Sequence, residues 1–147
     1  MRKIDLIVIH CSASRADRDF TETDLEVCHC RRGFNGIGYH FYIRKNGDIK
    51  TTRPIERIGA HAKGFNRTSI GICYEGGLDC HGRPADTRTE WQVHSMHVLV
   101  LTLLRDYPGC RVCGHRDLSP DLNGNGEIEP EEWVKACPCF DAEEEWA

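Results

Sequence analysis

The sequence predicts a single domain of the α/β class. The short apolar run at 6–10 is rich in β-branched residues and typical of a buried strand, and residues 69–77 and 111–115 are predicted to form another buried strand and a last short strand. Residues 38–53 contain two β-rich segments that flank Asn46-Gly47, which is the strongest short-range signal for a hairpin. Residues 87–107 have the periodicity of one long helix whose apolar face packs on a sheet. A chain of 147 residues is long enough to bury the core of one such domain.

The composition is that of an ordinary globular protein, with 39% hydrophobic and 29% charged residues. A net charge of −4 gives no electrostatic footprint for nucleic acid or an anionic membrane. No run approaches the ~20 apolar residues that a membrane span needs. The apolar run from Leu6 to Ile9 is too short for the core of a signal peptide. We therefore expect a protein that stays in the cytoplasm or leaves the cell by another route.

The first half of the chain reads as strand, helix and hairpin. Thr21 with Asp24 three residues later predicts a helix start, and Gly33 predicts its end. Strict alternation in the hairpin would place Tyr39 on one face and His40 on the other. The Gly-punctuated residues 54–67 read as a loop that crosses the sheet, with His61 and Lys63 exposed.

The second half reads as a strand, the long helix and a last short strand. For the helix, the periodicity predicts an inward stripe with further apolar residues widening it. The predicted stripe is Trp91, His94, Val98, Leu101 and Arg105, widened by Val100, Leu103 and Leu104. The strand at 111–115 ends in a histidine, as the strand at 6–10 does.

Two histidines that end strands and one cysteine near the C-terminus are candidate metal ligands. Zinc binds imidazole and thiolate, and three protein ligands leave a fourth position for water or substrate. His10, His115 and Cys137 supply these groups, but residues so far apart leave no local signature. A structural role, with hydrogen-bonded histidines and a packed cysteine, is therefore a competing interpretation. A second alternative is a four-thiolate zinc site formed by Cys110, Cys113, Cys137 and Cys139. The nine cysteines are otherwise expected to be reduced and mostly inert.

Six segments closely resemble, in order, one family of enzymes. They are IHCSAS (9–14), GYHFYIRKNG (38–47), HAKGFN (61–66), SIGICYEGG (69–77), GHRD (114–117) and KACPCFD (135–141). The family is that of the zinc-dependent N-acetylmuramoyl-L-alanine amidases of the phage-lysozyme and peptidoglycan-recognition-protein type. The resemblance implies a central mixed β-sheet flanked by helices, with zinc in a surface cleft. It also implies hydrolysis of the amide between the lactyl group of N-acetylmuramic acid and L-alanine in peptidoglycan.

Position by position, the resemblance implies a set of site residues. His10, His115 and Cys137 match the zinc ligands, while Tyr39 and Lys135 match the catalytic tyrosine and lysine. The chemistry is consistent, because zinc lowers the pKa of bound water to about 7. A fixed cation near a ligand can stabilise the oxyanion, and a tyrosine hydroxyl can orient water or pass a proton.

The resemblance also places the loop of His61 along the substrate groove, so that His61 is a candidate substrate contact. The alternative function is a non-catalytic peptidoglycan-binding protein of the same fold. Such proteins typically lack the cysteine ligand, whereas this chain retains Cys137, which favours a hydrolase. We expect a monomer whose partner is peptidoglycan or a muropeptide.

Residues 1–147 form one predicted amidase domain with an insertion at about 118–134, between the GHRD and KACP segments. The insertion fits the EF-hand template D-x-[DN]-x-[DN]-G-x5-E, which supplies oxygen ligands to Ca²⁺. The predicted calcium ligands are Asp121, Asn123, Asn125, Glu127 and Glu132. The alternative is an acidic surface turn followed by a short helix in the sequence EPEEWVKA.

Overall fold

The computed structural model describes residues 2–147, which form a mixed β-sheet flanked by helices. The strands are β1 (Leu6–Cys11), β2 (Ser14–Arg15), β3 (Phe41–Ile43), β4 (Ile49–Thr51), β5 (Ser69–Tyr74), β6 (Gly77–Leu78) and β7 (Arg111–Gly114). The helices are α1 (Glu22–Arg31), α2 (Glu90–Asp106) and α3 (Ala142–Glu145). Short 3-10 turns lie at Asn66–Thr68, His115–Leu118 and Pro130–Glu132. The predicted fold class is confirmed.

The main sheet has five strands in the order β4-β3-β5-β1-β7. β1 pairs in parallel with β5 and with β7, β3 pairs in parallel with β5, and only β4 runs antiparallel to its neighbour. β2 and β6 form a separate parallel pair. All six residues of β1 and of β5 are buried, as expected of parallel strands covered on both faces.

The two faces of the sheet pack against different hydrophobic clusters. Ile7 and Ile9 of β1 pack in the larger core, which α2 covers. Leu6 and Val8 belong to a separate small cluster on the opposite face. Because strand side chains alternate, His10 points to that opposite face, away from α2. The face that α2 leaves uncovered is therefore where the candidate site lies.

Local signals place α1 and the hairpin as predicted. Thr21 caps α1 and forms a reciprocal capping box with Asp24. β3 and β4 pair antiparallel around Gly47, which has φ of 91°. Tyr39 departs from the predicted alternation, because it packs with Tyr42 rather than with Ile43. β3 begins only at residue 41, so the two-residue period does not extend back to Tyr39.

The predicted inward stripe of α2 is wrong, although Val100 and Leu103, which were predicted to widen it, are buried. Trp91, Val98 and Leu101 are 61%, 49% and 60% exposed. Val100 and Leu103 share their buried face at helical spacing with Gln92, Met96 and Leu99, which were not predicted. The apolar pattern did not predict this face because it begins with a buried polar residue. Gln92 donates hydrogen bonds to the backbone carbonyls of Ile43 and Glu75.

The C-terminal segment packs on the same face as α2, where Phe140, Ala142 and Trp146 join the larger core. Among residues 2–147, no helix combines the length and the apolarity needed to cross a lipid bilayer.

Candidate metal centre and active-site groove

Three predicted metal ligands converge at one end of the sheet. His10 lies on β1, His115 begins the 3-10 turn after β7, and Cys137 lies in the C-terminal segment. Because β1 and β7 are adjacent parallel strands, both histidines lie near the same carboxyl edge. One nitrogen or sulfur atom of each residue lies within 4.8 Å of the others. Among residues 2–147, no other group of three His, Cys, Asp or Glu side chains lies close enough to hold an ion.

The surroundings of His10 fit a metal ion. Its side chain is buried, and its Nδ1 has no hydrogen-bond partner, although buried polar atoms normally have one. Burial, followed by the charges of neighbouring groups, holds the pKa of His10 well below its usual value. Burial and the charge of Lys135 also lower the pKa of His115. Both imidazoles are therefore neutral, the form that binds metal, and two imidazoles with one thiolate suit zinc.

Backbone contacts hold Cys137 against β1. The N–H of Cys11 donates to Cys137 Sγ at 3.1 Å, and the N–H of Arg116 donates to the carbonyl of Cys137 at 2.8 Å. The hydroxyl of Tyr74 donates to the carbonyl of the next residue, Pro138, at 2.5 Å. These bonds fix the ligand's backbone from both sides, as supporting contacts around metal ligands do.

The four-thiolate interpretation is wrong. Cys113 is buried with Leu6 and Val8, whereas Cys110 Sγ donates to the carbonyl of Ile4 at 3.3 Å. Neither thiol belongs to a group within residues 2–147 that is able to hold an ion.

A groove of about 530 Å³ runs along the candidate metal centre. His115, Cys137 and Lys135 line it together with Tyr39 and His61, and the C-terminal half of α1 borders its far end. His115 and Cys137 are therefore reachable from the groove, which leaves room for a substrate beside the buried His10.

A smaller hollow of about 130 Å³ adjoins this groove, and His115 and Lys135 line both. Leu118 and Val134, at the two ends of the predicted insertion, line the smaller hollow. The insertion therefore contributes to the surface beside the site.

Tyr39 and Lys135 both face the groove near the three ligands. The ring centroid of Tyr39 lies 4.8 Å from that of His10. Burial raises the pKa of Tyr39 well above its usual value, so its hydroxyl keeps its proton at neutral pH. Lys135 is exposed, and its charge contributes to the lowered pKa of both His10 and His115.

The insertion folds as a loop around two carboxylates. Asp121 accepts hydrogen bonds from the N–H groups of Gly124 and Gly126 at 3.0 and 2.7 Å. Glu132 accepts from the N–H groups of Asn123 at 3.3 Å and Glu129 at 2.9 Å. The predicted calcium ligands along this loop are Asp121, Asn123, Asn125, Glu127 and Glu132. Calcium binding there stays a prediction. The predicted helix in EPEEWVKA is reduced to the single 3-10 turn at Pro130–Glu132.

His61 is not exposed as predicted. Only 8% of its surface is accessible, because its ring points inward and contacts both His10 and Ser69. Asn66 holds its backbone by accepting from the N–H of His61 at 3.0 Å. Sequence patterns gave no signal for Ser69 or Asn66 as partners, because both lie in segments assigned only as strand and loop. Substrate contact by His61 stays a prediction.

Three histidine and cysteine side chains beside a groove are the ligand arrangement typical of catalytic zinc sites, which keep one position open for water or substrate. The family model described as N-acetylmuramoyl-L-alanine amidase matches residues 1–138. The chain belongs to this family, and N-acetylmuramoyl-L-alanine amidase is its enzyme class.

Individual relatives agree with this assignment. An endolysin of Klebsiella phage KP32 is 34% identical over 140 residues, covering 95% of this chain and 83% of the phage protein. The solved structure of the N-acetylmuramoyl-L-alanine amidase LysC from Clostridium intestinale URNW has a TM-score of 0.73 at 28% identity. That match covers 99% of this chain and 83% of LysC. Drosophila PGRP-LB, at 23% identity and a TM-score of 0.70 over 94% of this chain and 76% of its own, shares the fold.

Proposed function

We propose that the chain is a zinc-dependent amidase that cleaves the bond between N-acetylmuramic acid and L-alanine in peptidoglycan. The observation that carries this proposal is the convergence of His10, His115 and Cys137 within 4.8 Å, with His115 and Cys137 lining a groove. The family match supports the same substrate, and the endolysin similarity supports a phage-type route of release to the cell wall.

Zinc fits the three donors: His10 Nδ1 is a buried nitrogen without a hydrogen-bond partner, and the N–H of Cys11 holds Cys137 Sγ at 3.1 Å. When bound, zinc supplies Lewis acidity and lowers the pKa of a bound water to about 7. Side chains along the groove perform the other steps: they hold the scissile amide, stabilise charge on its oxygen and deliver a proton to the leaving amine.

Lys135 is suited to the developing negative charge. Its ammonium group lies in the groove wall two residues from the ligand Cys137, and in residues 2–147 it forms no salt bridge that would neutralise it. A positive group fixed beside a reacting carbonyl stabilises the oxyanion more than it stabilises the neutral amide. Lys135 therefore acts on the transition state rather than on substrate binding alone.

Tyr39 is suited to hydrogen bonding and proton transfer. Because burial raises its pKa, the hydroxyl is a donor rather than a phenolate at neutral pH. Its ring lines the groove and lies beside the ring of the buried His10. The hydroxyl can therefore orient the attacking water or donate towards the departing L-alanine nitrogen.

Release of stem peptides from purified peptidoglycan tests this function. The wild type should release them, Cys137→Ala should not, and the chelated wild type should recover when zinc is restored. Cys80→Ala, at an exposed cysteine outside the groove, is the matched control and should retain full activity. Undiminished release by Cys137→Ala, or by protein stripped of metal, contradicts zinc dependence.

A second candidate function is peptidoglycan binding without catalysis, which the similarity to Drosophila peptidoglycan-recognition protein LB supports. A binding protein would give saturable association with muropeptides and no released peptide at any enzyme concentration. Measuring binding and release on the same purified sample separates the two functions.

A further inference from the structure

A buried chain of hydrogen bonds runs from the metal centre into the fold. His10 Nε2 lies 2.9 Å from His61 Nδ1, and His61 Nε2 lies 3.2 Å from Ser69 Oγ. The three residues are 1%, 8% and 0% exposed. They come from β1, the loop before β5, and the first position of β5. This series of hydrogen bonds therefore connects a candidate ligand on β1 to the neighbouring parallel strand β5.

The direction of these bonds follows from the chemistry of neutral imidazole, which has one donor and one acceptor nitrogen. His10 Nδ1 has no protein partner, so its lone pair is the one available to a metal. The proton of His10 then lies on Nε2 and is donated to His61 Nδ1. His61 must in turn carry its own proton on Nε2 and donate it to Ser69 Oγ. This one assignment of donors and acceptors gives every ring nitrogen of His10 and His61 a partner once a metal binds His10 Nδ1.

The ring of His61 is held in a slot that only glycine permits. A Cβ atom at Gly71 would lie 2.7 Å from ring atoms of His61, and a Cβ atom at Gly59 would also lie 2.7 Å from the ring. His40 closes the slot, with its ring centroid 5.8 Å from that of His61. The N–H of Gly71 donates to His40 Nδ1 at 3.0 Å, which fixes the closing ring as well.

We propose that His61 is a positioning residue for the metal centre. It accepts the proton of His10 Nε2, and so holds His10 in the tautomer and ring orientation that present Nδ1 to zinc. Ser69 fixes the tautomer of His61. This role rests on the proposed zinc-dependent function, and it assigns His61 to the metal rather than to the substrate.

Zinc affinity tests the proposal without any assay of activity. Competition with a chromophoric chelator measures the dissociation constant of zinc alone for the wild type, His61→Leu and His61→Asn. Leucine and asparagine have similar shapes, but only the asparagine carbonyl can replace Nδ1 as an acceptor. Loss of a supporting contact to a ligating histidine typically weakens metal binding by about 10–100-fold. We expect that loss in His61→Leu and a clearly smaller loss in His61→Asn.

Two results would overturn the role of His61. One is zinc affinity in His61→Leu within about twofold of the wild type, since the general effect of such contacts is tenfold or more. The other is an equal loss in both variants, which would show that the ring only fills space. His94→Leu, at an exposed position of α2, is the matched control and should bind zinc as the wild type does. Failure of the wild type itself to bind zinc would contradict the proposed function instead.

A second measurement decides the question if His61→Leu does not fold. Two-bond ¹H–¹⁵N correlation spectra of the zinc-loaded wild type report the tautomer of each histidine. We expect these spectra to show His10 and His61 both protonated at Nε2. A proton on Nδ1 of His61 would reverse the first bond of the chain and refute the proposal.

Discussion

Gln92 is a buried amide that joins helix α2 to two strand ends, and we predict that Gln92→Leu is strongly destabilising. Its Nε2 donates to the carbonyl of Ile43 at 3.2 Å and to that of Glu75 at 2.9 Å. Its Oε1 accepts from the N–H of Thr89 at 2.9 Å, completing the capping box of α2. Leucine has a similar volume but can form none of these bonds.

The expected magnitude follows from which partners are left unpaired. The carbonyl of Ile43 also accepts from the N–H of Glu75 at 2.9 Å, so it keeps one bond. Thr89 is half-exposed, so water can replace the lost acceptor there. The carbonyl of Glu75 is the group that loses most, because a buried group without a partner costs about 1–3 kcal/mol and each ordinary bond about 1 kcal/mol. The sum is a loss of about 2–4 kcal/mol, or roughly 4–16 °C in Tm.

Urea unfolding followed by circular dichroism measures this loss, and a thermal melt gives the shift in Tm. His94→Leu makes a comparable change on the exposed side of the same helix and should alter the free energy of unfolding by less than about 0.5 kcal/mol. Gln92 lies outside the groove, so the variant should retain amidase activity at temperatures where it is folded. A loss below about 1 kcal/mol would refute the assignment of three stabilising bonds to this amide.

Three further predictions concern the site. Lys135→Met should lower kcat for peptide release by roughly 100–1000-fold, because it removes the cation that stabilises the oxyanion. Lys3→Met, at an exposed position, should leave kcat unchanged. A Lys135→Met rate equal to that of the wild type contradicts the oxyanion role. Tyr39→Phe should lower kcat by roughly 100-fold or more with zinc content unchanged by metal analysis, and a full rate would assign the ring to packing. Calcium should raise the Tm relative to EGTA through the Asp121–Glu132 loop, and an unchanged Tm ends that prediction.

Much of the fold was predictable because its signals are local. The capping pair Thr21 and Asp24 marks the start of α1, and Asn46-Gly47 marks the hairpin turn. The continuous apolar run of β1 indicates a strand buried on both faces, which the structure confirms. Each of these signals depends on residues within a few positions of one another, where backbone geometry and capping decide the outcome.

The face of α2 was not predictable from its apolar pattern alone. The helix presents Trp91, Val98 and Leu101 to solvent, so apolar residues occur on both sides. The buried side is instead recognised by Gln92, whose partners are carbonyls on distant strands. Those carbonyls are available only once β3 and β5 have ended beside the helix, so no pattern within the helix predicts their position.

In the candidate site, the residues proposed to bind metal or substrate were predictable, whereas the residues proposed to position them were not. Motif resemblance predicted His10, His115 and Cys137, and the structure brings these three together. The same reasoning treated His61 as a surface contact, since the partner that turns its ring inward is a ligand on another strand. The slot for that ring is made by missing side chains at Gly59 and Gly71, and a glycine in a sequence does not reveal which neighbour it admits. Supporting residues of a metal centre therefore emerge only when the packing around the ligands is known.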